Sequence, residues 1–325
     1  MSVAVMSPMV ETLTRPHDLL TGAEWRPAAV RDLYHLASDV KAHPERYRTA
    51  LSGRSVAMIF EKPSLRTRVS FEVGVRNLGG SPVFLDHSNS HLGNREAVKD
   101  LAKSLERWVQ AIVARTFAQS TLEELAEYAS IPVINALTDR FHPCQALADF
   151  FTLEERFGNL CGLEFAYVGD GNNMCDSLML TAARLGVHMR VATPAAYGPS
   201  PEIVADARRA ARETRAKIEL FTDPAEAVHN ARAVYTDVWV SMGYEHEVAE
   251  REAAFAPYQV TDLLMDLAAP DAVFMHCLPA HRGCEVTEGV IDSKRSAVYD
   301  QAENRLHVQN AIMLTLLEQV VGARR

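Results

Sequence analysis

Two arginines and two hydroxyl side chains fall within five residues at Ser64-Leu65-Arg66-Thr67-Arg68. Such a set binds anions: a guanidinium forks onto two phosphate oxygens, and hydroxyls add further donors. The local pattern supplies the backbone half of that site. Residues 56–60 are five apolar residues in a row, the pattern of a buried parallel strand, and Pro63 and Ser64 break it. Phe71, Val75 and Leu78 then recur at helical spacing, and Gly79 stands where a C′ glycine closes a helix. Ser64, Leu65, Arg66 and Thr67 are therefore expected at a strand-to-helix turn. Free backbone N–H groups and the positive end of the helix dipole meet there. A capped helix with exposed arginines is the competing reading of this stretch taken alone.

The elements that must position these groups alternate along the whole chain. Before the turn, residues 25–42 read as an amphipathic helix. After it come a short strand at 82–85, a polar loop at 87–94, a helix at 96–108 and a strand at 111–114 running into Arg115. Ser120 with Glu123 reads as a capping box for a helix to residue 128. A strand at 132–135 leads through a loop to Phe141-His142-Pro143-Cys144-Gln145 and a helix ending near 157. Residues 158–162 are the expected domain boundary, with the helix before them as a bridge. Beyond it the alternation restarts: strands at 165–168, 189–192, 218–221, 233–238 and 273–277, and helices at 173–185, from the Ser200-Pro201 cap to 214, and at 304–321. The expected fold is α/β, two doubly wound parallel-sheet domains. Residues 1–157 form one and 158–303 the other, and a C-terminal helix from 304 returns to the first.

In such sheets ligands bind outside the carboxyl ends of the strands. The first half offers Ser64, Arg66, Thr67, Arg115, His142 and Gln145 at that edge, a set suited to a phosphate joined to a carbonyl or amide. The second offers Asn173, Asp237, Ser241 and Cys277, a set suited to a zwitterionic amino acid. The histidines are scattered, and the adjacent His276 and Cys277 should point apart on a strand, so no metal-ligand spacing is seen. Gly169-Asp170-Gly171 looks like half a dinucleotide fingerprint, but Met174 replaces its last glycine and no acidic residue ends the next strand at Ala192. No G-x-S-x-G elbow appears. The expectation is catalysis without metal or cofactor.

Composition fits this frame. The chain has 325 residues, 48% hydrophobic and 23% charged, the balance of a globular enzyme with two domains. A net charge of −9 argues against nucleic acid and leaves anion binding to a local arginine cluster. Five cysteines (Cys144, Cys161, Cys175, Cys277, Cys284) without a C-x-x-C pair suit free thiols in a reducing cytoplasm. No apolar run of membrane-spanning length occurs. Residues 1–14 read as a loose tail without the regions of a signal peptide.

Four stretches together resemble the ornithine branch of the aspartate/ornithine carbamoyltransferase family. They are Phe60 to Arg68, Phe141 to Gln145, Asp237-Val238-Trp239-Val240-Ser241-Met242-Gly243 and His276-Cys277-Leu278-Pro279. The likeness runs from about Leu19 to Leu317. It implies that carbamoyl phosphate binds first, its phosphate on Ser64, Leu65, Arg66, Thr67 and Arg115. Its carbonyl would be polarised by Arg115, His142 and Thr67, an oxyanion hole in kind. Its amide would be held by Gln145 and the backbone at Cys277 and Leu278, with Arg305 closing over the centre. Ornithine would place its α-carboxylate on Asn173 and the Met242 backbone, and its α-ammonium near Asp237 and Ser241. The terminal amine must be neutral to attack, against a free pKa of about 10.4, and Cys277 with Asp237 would relay its proton. Citrulline and phosphate would leave. The resemblance also implies a homotrimer, with room for higher assembly, in which the loop bearing His91 reaches a neighbour's site.

Two positions depart from the family pattern. Leu65 stands where the phosphate loop usually has threonine, and His91 where the reaching loop usually has glutamine. One hydrogen bond to a charged group is worth about 1.5–3 kcal/mol, so Leu65 weakens binding without abolishing it. His91 keeps a donor and could make binding depend on pH. Tolerated drift explains both. The alternatives are a paralogue that carbamoylates lysine, putrescine or acetylornithine, and a non-catalytic binder of carbamoyl phosphate. Asp237 and Ser241-Met242 favour a free α-amino acid.

Overall fold

The computed structural model describes residues 17–240 and 245–322. The tail expected at 1–14 lies outside them, as do Ser241 and Met242. In chain order the elements are α1 (Pro27–Ala42), β1 (Ser55–Phe60), α2 (Leu65–Asn77), β2 (Ser81–Asp86), α3 (Val98–Leu105), β3 (Ala111–Arg115), α4 (Gln119–Tyr128), β4 (Val133–Leu137) and α5 (Pro143–Phe157). The second run is β5 (Glu164–Val168), α6 (Asn173–Leu185), β6 (His188–Ala192), α7 (Pro201–Thr214), β7 (Ile218–Phe221), α8 (Pro224–Val228), β8 (Ala233–Tyr235), α9 (Val248–Phe255), α10 (Asp262–Met265), β9 (Val273–Met275), α11 (Glu288–Ile291) and α12 (Val298–Gly322).

Two wholly parallel sheets result, ordered β2-β1-β3-β4 and β7-β6-β5-β8-β9. Each is doubly wound. Alternate residues of β1 face opposite layers: Val56, Met58 and Phe60 join one core, Ala57 and Ile59 another. In β5, Phe165 and Tyr167 join the first of these cores, while Ala166 and Val168 enter a third. Both sheets thus share one apolar core, built around α5, whose residues from Pro143 through Leu153 are all buried. A helix buried on every side over about three turns belongs in an interior, and its polar residues there must find partners. Phe150 packs its ring 5.2 Å from that of Phe165, and Phe151 lies 5.5 Å from Tyr34. Truncating either phenylalanine to alanine costs about 3–5 kcal/mol. The C-terminal helix α12 returns to pack on α1, α2 and α5.

Each sheet reverses its winding direction once, between β1 and β3 and between β5 and β8. Those switch points open at the carboxyl ends of the strands, where crossovers diverge and leave a crevice. Two glycines serve the local geometry. Gly79 takes φ +82° just beyond α2, as its place in the sequence predicts. A Cβ on Gly171 would lie 2.3 Å from the Pro199 backbone nitrogen, so the second glycine of the half-fingerprint is explained by chain packing.

Several expected boundaries moved. The capping box is not formed: α4 starts at Gln119 behind Ala118, which puts Ser120 inside the first turn, and Glu123 accepts instead from the Gln119 amide. Ser200 stands at the N-cap of α7, but its hydroxyl makes no cap bond. Strands β8 and β9 end at Tyr235 and Met275, two or three residues early, and α12 begins at Val298, six residues before 304. Between β8 and β9, where the sequence reading places no element, lie α9 and α10.

Candidate active site

A cavity of about 710 Å³ lies between the carboxyl ends of the two sheets, walled by segments following β1, β3, β4, β5, β8 and β9 and by Arg305 of α12. Ser64, Leu65, Arg66, Thr67, Arg115, His142, Gln145, Asn173, Asp237, Cys277, Leu278 and Arg305 all line it. His91 does not line it: its Nδ1 lies 3.7 Å from Glu61 Oε1 and its ring meets Phe117 edge-on.

On one wall the cationic groups outnumber anything that could balance them. Ser64 caps α2 in an extended conformation, and its Oγ accepts the Thr67 N–H at 3.2 Å. The N–H groups of Leu65 and Arg66 belong to the same first turn, where no intrahelical acceptor exists. A register shift at the end of β3 sets Arg115 opposite Leu137 rather than the residue after Asn135. Arg115 is buried, and burial first, then the charge of Arg305, pushes its pKa down to about 10. Burial lowers that of Arg66 too. Burial, then Arg305 and Arg115, holds His142 well below the usual imidazole range, so the ring is neutral. Arg115 Nε, Arg305 Nε and His142 Nδ1 are buried without a protein partner. Guanidiniums crowded in this way favour a multiply charged anion among them.

Arg305 is already engaged. Its Nη2 donates to Thr67 Oγ1 at 2.6 Å and its Nη1 to Gln145 Oε1 at 2.7 Å. Gln145 Nε2 in turn donates to Asp149 Oδ1 at 2.7 Å. The Gln145 oxygen is therefore turned toward Arg305 rather than left facing the cavity alone.

The opposite wall carries a hydrogen-bonded acid and thiol. Asp237 Oδ1 accepts the Cys277 thiol at 3.1 Å, and Oδ2 accepts the Asn172 amide at 2.9 Å. Asn172 is held by capping α6, its Oδ1 accepting from the Met174 and Cys175 N–H groups. Asn173 lines the cavity, but its Nδ2 donates to the Thr138 carbonyl at 2.7 Å. Burial first, then the charge of Asp237, pushes the Cys277 thiol well above its ordinary value. It stays a thiol and a donor.

The expectation that His276 and Cys277 point apart fails, because β9 ends before them and the chain turns at Leu278, φ +57°. Ligand atoms of Asp237, His276 and Cys277 fall within 4.8 Å of one another. Both His276 nitrogens are occupied, however. Nδ1 accepts the Leu278 N–H at 2.8 Å, which makes Nε2 the protonated nitrogen, 3.2 Å from Glu285 Oε1. A metal would have to displace one of these contacts to gain the imidazole.

Several cavity or supporting residues were not singled out from the sequence. Asp170 lines the cavity and meets Arg251 at 2.9 Å, and burial raises its pKa to about 6. Asp176 is buried at the cavity edge with Oδ1 unpartnered, and burial raises it to about 7 against the pull of Arg140. Asp149 lies one turn past Gln145. Asp149 and Asp176 each follow a motif residue by three or four positions on a helix, the spacing that shares a face, and that was the available signal.

A cationic wall facing an acid–thiol wall across one cavity, at the switch points of two parallel sheets, is a site built for a charged small molecule. The carbamoyl-P binding domain of the aspartate/ornithine carbamoyltransferases matches residues 17–155, and the Asp/Orn binding domain of the same proteins matches residues 161–316. The chain belongs to the aspartate/ornithine carbamoyltransferase family. It is 52% identical to an ornithine carbamoyltransferase of Anoxybacillus flavithermus over 303 residues, 92% of this chain and 96% of the relative. The crystal structure of ornithine carbamoyltransferase from Thermus thermophilus superposes with a TM-score of 0.84 at 47% identity, covering 94% of this chain and all of that one. The Pyrococcus furiosus ornithine carbamoyltransferase gives a TM-score of 0.90 at 45% identity, over 93% and 97%.

Proposed function

We propose that this protein moves the carbamoyl group of carbamoyl phosphate to the side-chain amine of L-ornithine, giving L-citrulline and phosphate. The observation that carries the reading is the pairing, across one cavity, of Arg66, Arg115 and Arg305 with Asp237 and Cys277. The dianion seats its phosphate on Arg66, the Ser64 and Thr67 hydroxyls and the first-turn N–H groups of α2, with Arg115 beside them. Arg115, neutral His142 and Thr67 face the carbonyl oxygen and stabilise the charge it gains. Gln145, with the backbone at Leu278, holds the amide.

Ornithine enters against the other wall. Asp237, with Ser241, takes the α-ammonium, and Asn173, with the Met242 backbone, takes the α-carboxylate. The neutral terminal amine attacks the carbamoyl carbon. As the tetrahedral intermediate collapses, the carbon–oxygen bond to phosphate breaks and phosphate leaves with the electron pair. Cys277 Sγ takes a proton from the amine while handing its own to Asp237 Oδ1, so the sulfur remains a thiol, and Asp237 gives the proton up to solvent as the protonated phosphate and citrulline leave. Closure of the two lobes, divided at 157/158, excludes water from the acyl phosphate.

The working unit is a homotrimer. An exposed apolar stripe on α2, Leu65 (74% exposed), Val69 and Val73, supports contact with a second copy. His91, outside its own cavity, then serves a neighbour's.

Citrulline formation is measured with ornithine, lysine and putrescine in turn. Turnover with ornithine at least about a hundredfold above the other amines is expected. No turnover of any amine by protein that still binds carbamoyl phosphate overturns the reading. Light scattering across a concentration series tests the trimer.

A further inference from the structure

Asp149 is fully buried in α5 and lies outside the cavity lining. It receives three hydrogen bonds from three parts of the fold. Oδ1 accepts Gln145 Nε2 at 2.7 Å and Gln301 Nε2 at 2.8 Å; Oδ2 accepts the Tyr235 hydroxyl at 3.0 Å. Every donor leads to a different part of the site. Gln145 passes its oxygen to Arg305. Tyr235 ends β8, two residues before Asp237. Gln301 Oε1 accepts the backbone N–H of His276 at 3.0 Å, one residue before Cys277.

The chemistry of the hub matters more than its count of bonds. A carboxylate is an acceptor only. Facing it, each glutamine can turn only its NH₂ inward, so both amide oxygens are forced outward, one to Arg305 and one to the His276 N–H. No neutral side chain of the same shape dictates both amides in that way. Burial raises Asp149, the three donors and the Arg305 charge pull it back, and the outcome of about 6 leaves the group ionised at neutral pH. The other titratable groups it faces are Tyr34, Tyr235 and Cys277, all held neutral.

We propose that Asp149 is the positioning residue that keeps the two walls of the cavity in register, orienting Gln145 and Arg305 on one side and anchoring the segments that carry Asp237 and Cys277 on the other. The inference rests on the carbamoyl-transfer reading above and adds to it a residue that touches neither substrate.

The test compares Asp149→Leu, Asp149→Asn and Tyr235→Phe in the full chain, with KM for each substrate, kcat, carbamoyl phosphate binding by calorimetry and thermal melting. Asp149→Leu removes every acceptor, so three hydrogen bonds to a charged group are lost, and kcat/KM is expected to fall by at least about a hundredfold for both substrates. Asp149→Asn keeps one oxygen for the glutamines and should recover at least about tenfold of that loss. Tyr235→Phe deletes a single hydroxyl and folds even if the leucine variant does not. It should raise the ornithine KM several-fold while carbamoyl phosphate binding stays within about twofold. A lower melting temperature with unchanged KM and kcat in all three makes Asp149 merely structural and overturns the proposal. Equal effects of Tyr235→Phe on both substrates overturn the division of labour at the hub. An inactive wild-type chain overturns the functional reading instead.

Discussion

Arg305 Nη2 donates to Thr67 Oγ1 at 2.6 Å, joining residues 238 positions apart in the chain. The bond fastens α12 to the first turn of α2, the turn that presents its N–H groups to the cavity. Because Arg305 also donates to Gln145, two of its nitrogens are spent on the protein. Arg115 is buried at the strand end. Arg66, half-buried in the cavity wall, is therefore the guanidinium with most freedom to fork onto an incoming phosphate.

That division predicts the outcome of Arg66→Ala. Carbamoyl phosphate loses a bidentate partner, and two charge-assisted bonds at about 1.5–3 kcal/mol each bring the loss in kcat/KM to at least about a hundredfold. Arg305 and Thr67 keep their contact, so the melting temperature should hold within a few degrees. Steady-state kinetics and thermal denaturation of the one variant check both statements. A near-normal rate would make the loop structural.

The strand-to-helix turn at Ser64 was legible because its signal is local: a strand, a proline break, a serine cap and a helix all lie within Val56 to Gly79, and the structure keeps them in that order. Parallel sheets and the returning C-terminal helix followed from alternation and length. Asp149 was hidden, since in sequence it is one charged residue on an amphipathic helix. Its Tyr235 and Gln301 partners lie 86 and 152 residues away. The sequence reading chooses Asn173 over its neighbour; the cap of α6 turns Asn172 to Asp237, a contact no local pattern announces. The early end of β9 brings His276 beside Cys277, and an apolar run alone does not reveal where a strand's ladder stops.

Asp176 should leave a signature in the pH dependence of stability. Its folded pKa of about 7 lies above an unfolded carboxylate near ~3.9, so the folded state binds more protons between those values. The stability this confers is complete below about pH 4 and is lost as pH rises through 7. A shift of about three units corresponds to roughly 2–4 kcal/mol, with burial at 5% exposure giving little solvent relief. Asp176→Asn, neutral at every pH, should unfold at higher denaturant than wild type at pH 8 and at about the same denaturant at pH 4. Parallel unfolding curves at the two pH values check this, and an unchanged gap would show that Asp176 is solvated.

Leu65 is 74% exposed at the first position of α2 and lines the cavity. Its backbone N–H serves an anion, but its side chain cannot. Leu65→Thr adds a hydroxyl at the phosphate position and should lower the KM for carbamoyl phosphate by up to about tenfold, one bond to a charged acceptor. The KM for ornithine, bound on the far wall, should not move. The same substitution also removes the most exposed member of the α2 apolar stripe, so the oligomeric states of the two proteins are compared by light scattering before the kinetics.

Cys277 supplies the last prediction, because its position makes it both reactive in principle and protected in practice. Burial and the adjacent Asp237 hold the thiol well above its ordinary pKa, and the thiolate is the alkylating nucleophile. At pH 8, iodoacetamide should therefore modify exposed Cys161 at least about tenfold faster than Cys277, read by peptide mass spectrometry. The sign for activity follows from the same shift: the thiol must stay protonated to hand a proton to Asp237, so kcat holds through neutral pH and falls only where the raised pKa is reached. Cys277→Ser keeps a donor to Asp237, but a hydroxyl does not ionise in water's range. Its rate should drop by an order of magnitude or more, and the alkaline fall should vanish from its pH profile. Persistence of that limb in the serine variant would assign it to another group and take Cys277 out of the proton relay.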